Sequence, residues 1–160
     1  MRLRRDLPAL VGLCVIAVAM LVAAFAPALA PADPVKNRLL DRLTPPMWAP
    51  GGSATHPLGT DTLGRDVLSR LLHGARISLV VGLAAVLVAG VVGVVLGLVA
   101  GYRGGWADDL LMRLGDIQLA FPVLLLGVAV IAVLGASLVN MILVLGASGW
   151  VTYARIARGE

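Results

Sequence analysis

The sequence predicts an all-α membrane protein, a polytopic helical bundle with about four transmembrane helices. Its 160 residues are 59% hydrophobic and only 14% charged, and the mean hydropathy is +0.96. Soluble domains are typically about 45–50% apolar and about 25% charged. The other two observations are long runs without any charged residue and 19 glycines, which suit close helix packing in lipid.

Charge and composition exclude several classes of function. The net charge is +4 and the pI about 10.2, but arginines flank the uncharged runs, where they orient membrane spans, so we expect no nucleic-acid partner. Cys14 is the only cysteine, which excludes an internal disulfide or a cysteine metal site. A phosphate-binding G-x-x-x-x-G-K-[ST] loop needs a suitably placed lysine, and the only lysine, Lys36, lies among prolines. We therefore predict no enzyme activity, no cofactor and no metal.

The first span follows a basic start. Residues 1–6 are predicted to be a cytoplasmic amino terminus and residues 7–30 the first transmembrane helix. These 24 uncharged residues reach about 36 Å as a helix, enough for a hydrocarbon core of about 30 Å. The alternative is a cleaved signal peptide, because Ala28, Leu29 and Ala30 fit a small-x-small cleavage site. The run is longer than the usual apolar core of about 7–15 residues in such peptides.

Residues 31–76 are predicted to form a periplasmic linker. Its five prolines up to Pro50, followed by Gly51 and Gly52, exclude a long helix there. Towards its end, leucines recur at helical spacing and predict an amphipathic helix over residues 62–76. Such a helix suits the membrane surface, with its apolar face in the lipid boundary.

Polar residues at the start of this helix have predicted local roles. Thr60 or Asp61 is expected to cap it by accepting a hydrogen bond from a free backbone N–H. Asp66 and Arg70 lie four residues apart with the acid first, which predicts an ion pair worth about 0.2–0.5 kcal/mol.

Residues 77–101 are predicted to form the second transmembrane helix. Gly93, Gly97 and Gly101 repeat every four residues and therefore lie on one helix face. A strip of this kind lets another helix approach closely, although glycine is also simply common in membrane helices.

The remainder of the chain is predicted to cross the membrane twice. Residues 117–154 carry no charge, and one helix of 38 residues would reach about 57 Å, nearly twice the core thickness. A hairpin with its break in the small polar cluster 135–140 is the better interpretation. The predicted segments are a cytoplasmic connection at 102–116, a third transmembrane helix at 117–136, a fourth at 139–155, and a cytoplasmic segment at 156–160.

Several short blocks resemble one known family. HPLGTD, LGRD and LSRLLHGARISL, in this order and spacing, are similar to the C-type permease subunits of bacterial dipeptide, oligopeptide and nickel ABC importers. The resemblance covers roughly the whole chain and implies a type I importer permease fold. Its motif residues, expected to have structural roles on the periplasmic side, are His56, Pro57, Leu58, Gly59, Thr60, Asp61, Gly64, Arg65, Asp66, Ser69, Arg70, Gly74 and Arg76.

The resemblance also implies a function and partners. A chain of this family would be a multi-pass protein of the bacterial inner membrane, with its amino end inside. It would form part of a pathway for a small solute together with a second permease subunit. Two cytoplasmic ATPases would hydrolyse ATP, and a periplasmic solute-binding protein would deliver the solute. Peptide, nickel and related members look alike over this stretch, so the substrate stays open.

Two other hypotheses about the chain, and one other site, accompany this interpretation. The family carries an E-A-A-x-x-x-G loop that docks on the ATPase, and its core is absent before Glu160, so we expect a fragment that does not couple ATP to transport by itself. The alternative function is that of a small membrane scaffold or assembly protein. An external metal cluster of His56, Asp61, Asp66 and His73 is disfavoured, because the last two lie on different sides of a helix.

Overall fold

The structure, a computed structural model, describes residues 7–159 and divides into two compact units between Leu79 and Val80. The expectations for residues 1–6 and for Glu160 lie outside this range. The described residues contain five α-helices and no strand. The helices are α1 (Leu7–Leu29), α2 (Val67–Arg103), α3 (Gly105–Ala120), α4 (Val123–Leu134) and α5 (Leu138–Gly159), with a 3-10 turn at Leu39–Asp41.

Helix α1 is apolar on every side. Its 23 residues contain no acidic or basic side chain and reach about 34 Å. Only Ala23 and Ala26 are buried, whereas large side chains such as Phe25 and Leu29 are more than half exposed. A helix that is hydrophobic all round and exposes its large side chains is suited to lipid.

Helix α2 differs from the predicted arrangement of an amphipathic helix at 62–76 followed by a separate span at 77–101. Residues 62–66 are not helical, and one continuous helix of 37 residues begins at Val67. Gly64 has a φ of +71°, which keeps the backbone out of the helical region before that point. No proline follows within α2, so nothing interrupts the hydrogen-bond ladder where the amphipathic pattern gives way to the uncharged one.

Helices α3 and α4 also differ from the predicted boundaries. The expected connection at 102–116 and span at 117–136 become a 16-residue helix, α3, and a 12-residue helix, α4. They meet at an angle of 85°. Pro122 lies just before α4, and without an N–H it cannot extend the hydrogen-bond ladder of α3.

Helix α5 begins after a break in the predicted cluster. Gly135 has a φ of +84° and ends α4, and α5 starts at Leu138. Among the described residues, α1, α2 and α5 are long and apolar enough to cross a membrane, and the bent pair α3–α4 raises the number to four if it forms one span. The all-α membrane class is therefore confirmed.

Candidate functional site

Apart from Gly74 and Arg76, the motif residues lie in a polar segment that we call the collar, residues 31–70, which is irregular up to Asp66 and ends in the first turn of α2. Its two halves, before and after residue 50, are joined by main-chain hydrogen bonds. These run from Arg38 N–H to Leu63 O, Leu43 N–H to Asp61 O, Thr60 N–H to Thr44 O and Met47 N–H to Pro57 O, each 3.1 Å. These hydrogen bonds fix the backbone of the collar, although one 3-10 turn is its regular structure before α2 begins.

Asp61 binds the turn that follows it and the first turn of α2 through its carboxylate. Its carboxylate accepts hydrogen bonds from the Leu63 N–H at 2.8 Å and the Arg65 N–H at 3.0 Å. The guanidinium groups of Arg65 and Arg70 bind its other oxygen at 2.8 and 2.7 Å. The hydrogen bond from the Arg65 N–H is the main cause that lowers the pKa of Asp61 to about 2; partial desolvation opposes it, and the Leu63 N–H adds to it.

Asp66 caps α2 and binds a buried histidine. One carboxylate oxygen accepts the Ser69 N–H at 2.7 Å, and the other lies 2.9 Å from Nδ1 of His56. Asp66 is 2% exposed and His56 is 6% exposed. Burial raises the pKa of Asp66, but the bonds from Ser69 and His56 outweigh burial, so the pKa lies below its ordinary value.

Two predictions for this region are therefore corrected. The cap of α2 is Asp66, not Thr60 or Asp61, because the helix starts six residues after Asp61. The predicted ion pair between Asp66 and Arg70 is wrong. Both oxygens of Asp66 are engaged by His56 and Ser69, and Arg70 binds Asp61 instead.

Thr60 and two glycines fix the turns of the collar. The Thr60 hydroxyl donates to the Asp41 carbonyl and accepts the Thr44 N–H at 2.9 Å. Gly59 and Gly64 have φ values of +77° and +71°. A Cβ on Gly64 would overlap the carbonyl of Arg38, so this position combines a left-handed backbone with a close main-chain approach.

The other motif residues vary in their surroundings. The Ser69 hydroxyl is fully buried and accepts the Ala32 N–H at 3.0 Å, which ties the chain just after α1 to the first turn of α2. Leu58 is half-buried, whereas Gly74 borders open space and Arg76 is exposed on α2. Residues 7–159 contain no group of three potential metal ligands; His73 Nδ1 bonds to the Ser69 carbonyl at 3.0 Å.

The glycine strip of α2 lies against α5 in the second unit. A Cβ on Gly93 would lie 2.7 Å from Tyr153 Cβ, and one on Gly97 would lie 2.9 Å from Ala154 Cα. At Gly101 the nearest atom, the Arg158 carbonyl oxygen, would be 3.4 Å away. The approach is therefore closest at Gly93 and Gly97, where any side chain would force the helices apart.

Polar contacts that no sequence pattern indicates join α3 to α5. Gln118 donates to the Ala147 carbonyl, and its side-chain oxygen accepts the Trp150 indole N–H at 2.6 Å. Further along, Arg155 binds Asp116 at 2.6 Å and Arg158 binds Asp108 at 2.5 Å. These partners are 29 to 50 positions apart in sequence, so no local spacing indicates them.

Asn140 and Trp150 of α5 both make local contacts. The Asn140 amide donates to the carbonyls of Leu134 and Gly135 at 3.2 and 2.9 Å, so it stabilises the turn between α4 and α5. Trp150 is 9% exposed and packs with Val151 and Ala154.

Comparison with known proteins gives consistent matches. The family model for the binding-protein-dependent transport system inner membrane component matches residues 93–160, and the one for the N-terminal TM domain of oligopeptide transport permease C matches residues 1–46. The di/tripeptide transport system permease protein of Pseudomonas aeruginosa is 47% identical over 150 residues, 94% of this chain and 50% of that protein. The dipeptide permease protein of Escherichia coli is 44% identical, covering 97% and 52% of the two chains.

A third relative extends along the whole chain. The oligopeptide transport system permease protein of Bacillus subtilis is 39% identical over 160 residues, 100% of this chain and 50% of that protein. The chain thus spans about half the length of the curated relatives it matches.

Proposed function

This chain belongs to the family of binding-protein-dependent transport system inner membrane components and is a multi-pass protein of the bacterial inner membrane, and we propose that it is a permease subunit of an ABC-type importer. It would form part of the pathway for peptides or a related small solute that a binding protein delivers. The observation that carries this proposal is the 47% identity to a di/tripeptide permease over 94% of the chain.

The proposed topology places the amino end in the cytoplasm and the collar on the periplasmic side. Residues 1–6, 102–116 and 156–160 would then be cytoplasmic. The support is that basic residues are denser in these short segments than in the long linker, which follows the positive-inside rule. The first turn of α2 with exposed Arg70, and half-buried Arg65 just before it, would face the binding protein.

The proposed partners divide the work of transport. A second permease subunit would complete the pathway, two ATPases would bind and hydrolyse ATP in the cytoplasm, and the binding protein would supply the solute. ATP binding would bias an equilibrium between outward-open and inward-open arrangements of the helices. The contribution of this chain would be packed helices and a water-lined surface, with the chemical step on the ATPase subunits.

The joined collar and α2 support a mechanical role. The Asp66 cap and the bond from Ala32 to Ser69 attach the collar to the first turn of a helix that continues without interruption for 37 residues. Force applied to the collar by a docking protein would therefore act directly on the first turn of α2.

Uptake measurements test the function. Deleting the gene should abolish ATP-dependent uptake of labelled di- and tripeptides, and a plasmid copy should restore it, while uptake of an unrelated sugar stays constant. Peptide uptake that persists at the wild-type rate in the deletion strain would contradict the proposal.

Cysteine labelling in a Cys14→Ser background tests the topology. Trp48→Cys should react with an impermeant maleimide from outside, and Trp106→Cys only after permeabilisation; the reverse pattern would contradict the topology.

A further inference from the structure

A cleft in the first unit has no role in the proposed function. Its volume is about 350 Å³, within the range of about 300–1,000 Å³ typical of small-molecule sites. The lining is about half polar and half apolar and carries both signs of charge. It consists of Pro31, Ala32, Asp33, Lys36, Arg38, Thr55, His56, Gly64 and Asp66.

The cleft lies where two apolar helices end. Pro31 and Ala32 follow α1 directly, and Asp66 immediately precedes α2. The bond between Ala32 N–H and the Ser69 hydroxyl holds these two ends together. Since successive spans cross in opposite directions, the end of α1 and the start of α2 lie on the same face of the membrane. Because α1 is about 34 Å long, close to the thickness of the hydrocarbon core, Pro31 and Ala32 directly after it place the cleft near the boundary between hydrocarbon and water, the level of the lipid headgroups.

The polar groups around the cleft are available for a ligand. Lys36 and Arg38 are exposed, and the one ion pair that either makes within the described residues is the long Arg38–Asp41 contact at 4.0 Å. The His56 side chain is 8% exposed and uses Nδ1 for Asp66, and its Nε2 has no hydrogen-bond partner among residues 7–159. Asp33 uses one oxygen for the Val35 N–H at 2.9 Å, which leaves the other free.

We propose that this cleft binds the headgroup of a zwitterionic phospholipid of the phosphatidylethanolamine class. Lys36 and Arg38 bind the phosphate, with the guanidinium giving two parallel hydrogen bonds. Asp33 binds the ammonium, and His56 Nε2 forms a hydrogen bond within the cleft. The acyl chains lie along the apolar end of α1, where Phe25 and Leu29 are 58% and 53% exposed.

Two features favour a lipid over a soluble anion. A free phosphate would use the cations but leave Asp33 as a repulsive neighbour, whereas a headgroup with an ammonium satisfies both signs of charge. A lipid also gains apolar contact with α1 that a soluble ion lacks. The proposal depends on membrane insertion of α1 and α2 and is independent of the transported solute.

Native mass spectrometry of the purified chain with added phosphatidylethanolamine tests the proposal. Lys36→Ala and Arg38→Ala should each weaken binding about fivefold. Asp33→Asn should weaken phosphatidylethanolamine binding but not phosphatidylglycerol binding. Arg42→Ala is the matched control, because Arg42 is an exposed cation of the same linker that does not line the cleft, and it should bind as wild type does.

Competition experiments test the alternative ligands separately. Inorganic phosphate or a dipeptide that displaces the lipid at equal concentration would overturn the assignment to a lipid. Equal lipid binding by the wild type, Lys36→Ala and Arg38→Ala would overturn the assignment to this cleft. Hydrogen exchange of the Arg38 and Thr60 amides, whose bonds do not involve the substituted side chains, checks that each variant keeps the collar folded.

Discussion

The collar and the α2–α5 interface are held together in opposite ways. The collar buries polar groups: His56, Thr60, Asp66 and Ser69 are all under 8% exposed, and each forms hydrogen bonds. The interface in the second unit buries alanine, valine and tryptophan against glycines, at Ala154, Val151, Trp150, Gly93 and Gly97.

The difference follows from the two solvents. Irregular backbone has unpaired N–H and C=O groups, which are tolerated in contact with water and must be satisfied internally in lipid. The collar, outside the spans, can therefore use turns and side-chain bonds. Within the spans the helices satisfy their own backbones, and close packing of small residues joins them. We expect the collar to be destabilised by the loss of one hydrogen bond or turn. The α2–α5 interface should instead be destabilised by added side-chain volume.

The largest expected effect is at the turn of the collar. Gly64→Ala places a Cβ on the Arg38 carbonyl and forces a left-handed alanine, so we expect a loss of about 3 kcal/mol, roughly a hundredfold in local exchange rate. Hydrogen exchange of the Arg38, Leu43 and Thr60 amides measures the loss directly. Amides of α5 should keep their protection.

Gly74→Ala is the matched control in the same unit. Gly74 is helical and borders open space, so alanine should be neutral or should stabilise by up to about 1 kcal/mol. If both variants exchanged at the wild-type rate, the close approach at Gly64 would not limit the stability of the collar.

A smaller effect is expected where helices can separate. Gly97→Ala places a Cβ 2.9 Å from Ala154 Cα and from Ala157 Cβ, and overpacking of this kind costs about 1–3 kcal/mol. Gly90→Ala, with nothing within 4 Å, should be near neutral. Spin labels at exposed positions of α2 and α5 would measure the separation. An unchanged distance and unfolding curve for Gly97→Ala would contradict a close-packed interface.

The sequence predicted what depends on periodicity and length. A 38-residue uncharged run exceeds one span, and its break falls where Gly135 can adopt a positive φ. The four-residue spacing of Gly93, Gly97 and Gly101 is a property of one helix, so the shared face could be predicted without knowing that α5 contacts it.

What could not be predicted depends on distant partners. Four-residue spacing suggested a pair between Asp66 and Arg70, but such pairs are weak, and His56, ten positions away, and Ser69 engage Asp66 instead. Likewise, a change from an amphipathic to an uncharged pattern reports a change of environment, not a break in the backbone, so α2 continues through Arg76. Leu43, at a φ of +54°, adopts a backbone that its residue type disfavours.

The smallest expected effect is a pH dependence that the collar should show and the α2–α5 interface should not. Because Asp61 has its pKa lowered from 3.8 to about 2, the folded collar binds fewer protons than the unfolded chain between these values. Its contribution is complete above about pH 4 and is lost as the pH falls through 2. Protection of the Arg65 amide, corrected for the exchange rate of unstructured peptide, should therefore fall over this range. In Asp61→Asn it should be lower at pH 5 and depend less on pH, with the depressed pKa of Asp66 supplying the remaining dependence. The glycine face of α2 has no ionisable side chain, so separation from α5 at Gly93 and Gly97 should not follow this curve. A flat profile for the wild-type Arg65 amide would show that Asp61 does not stabilise the collar as a carboxylate.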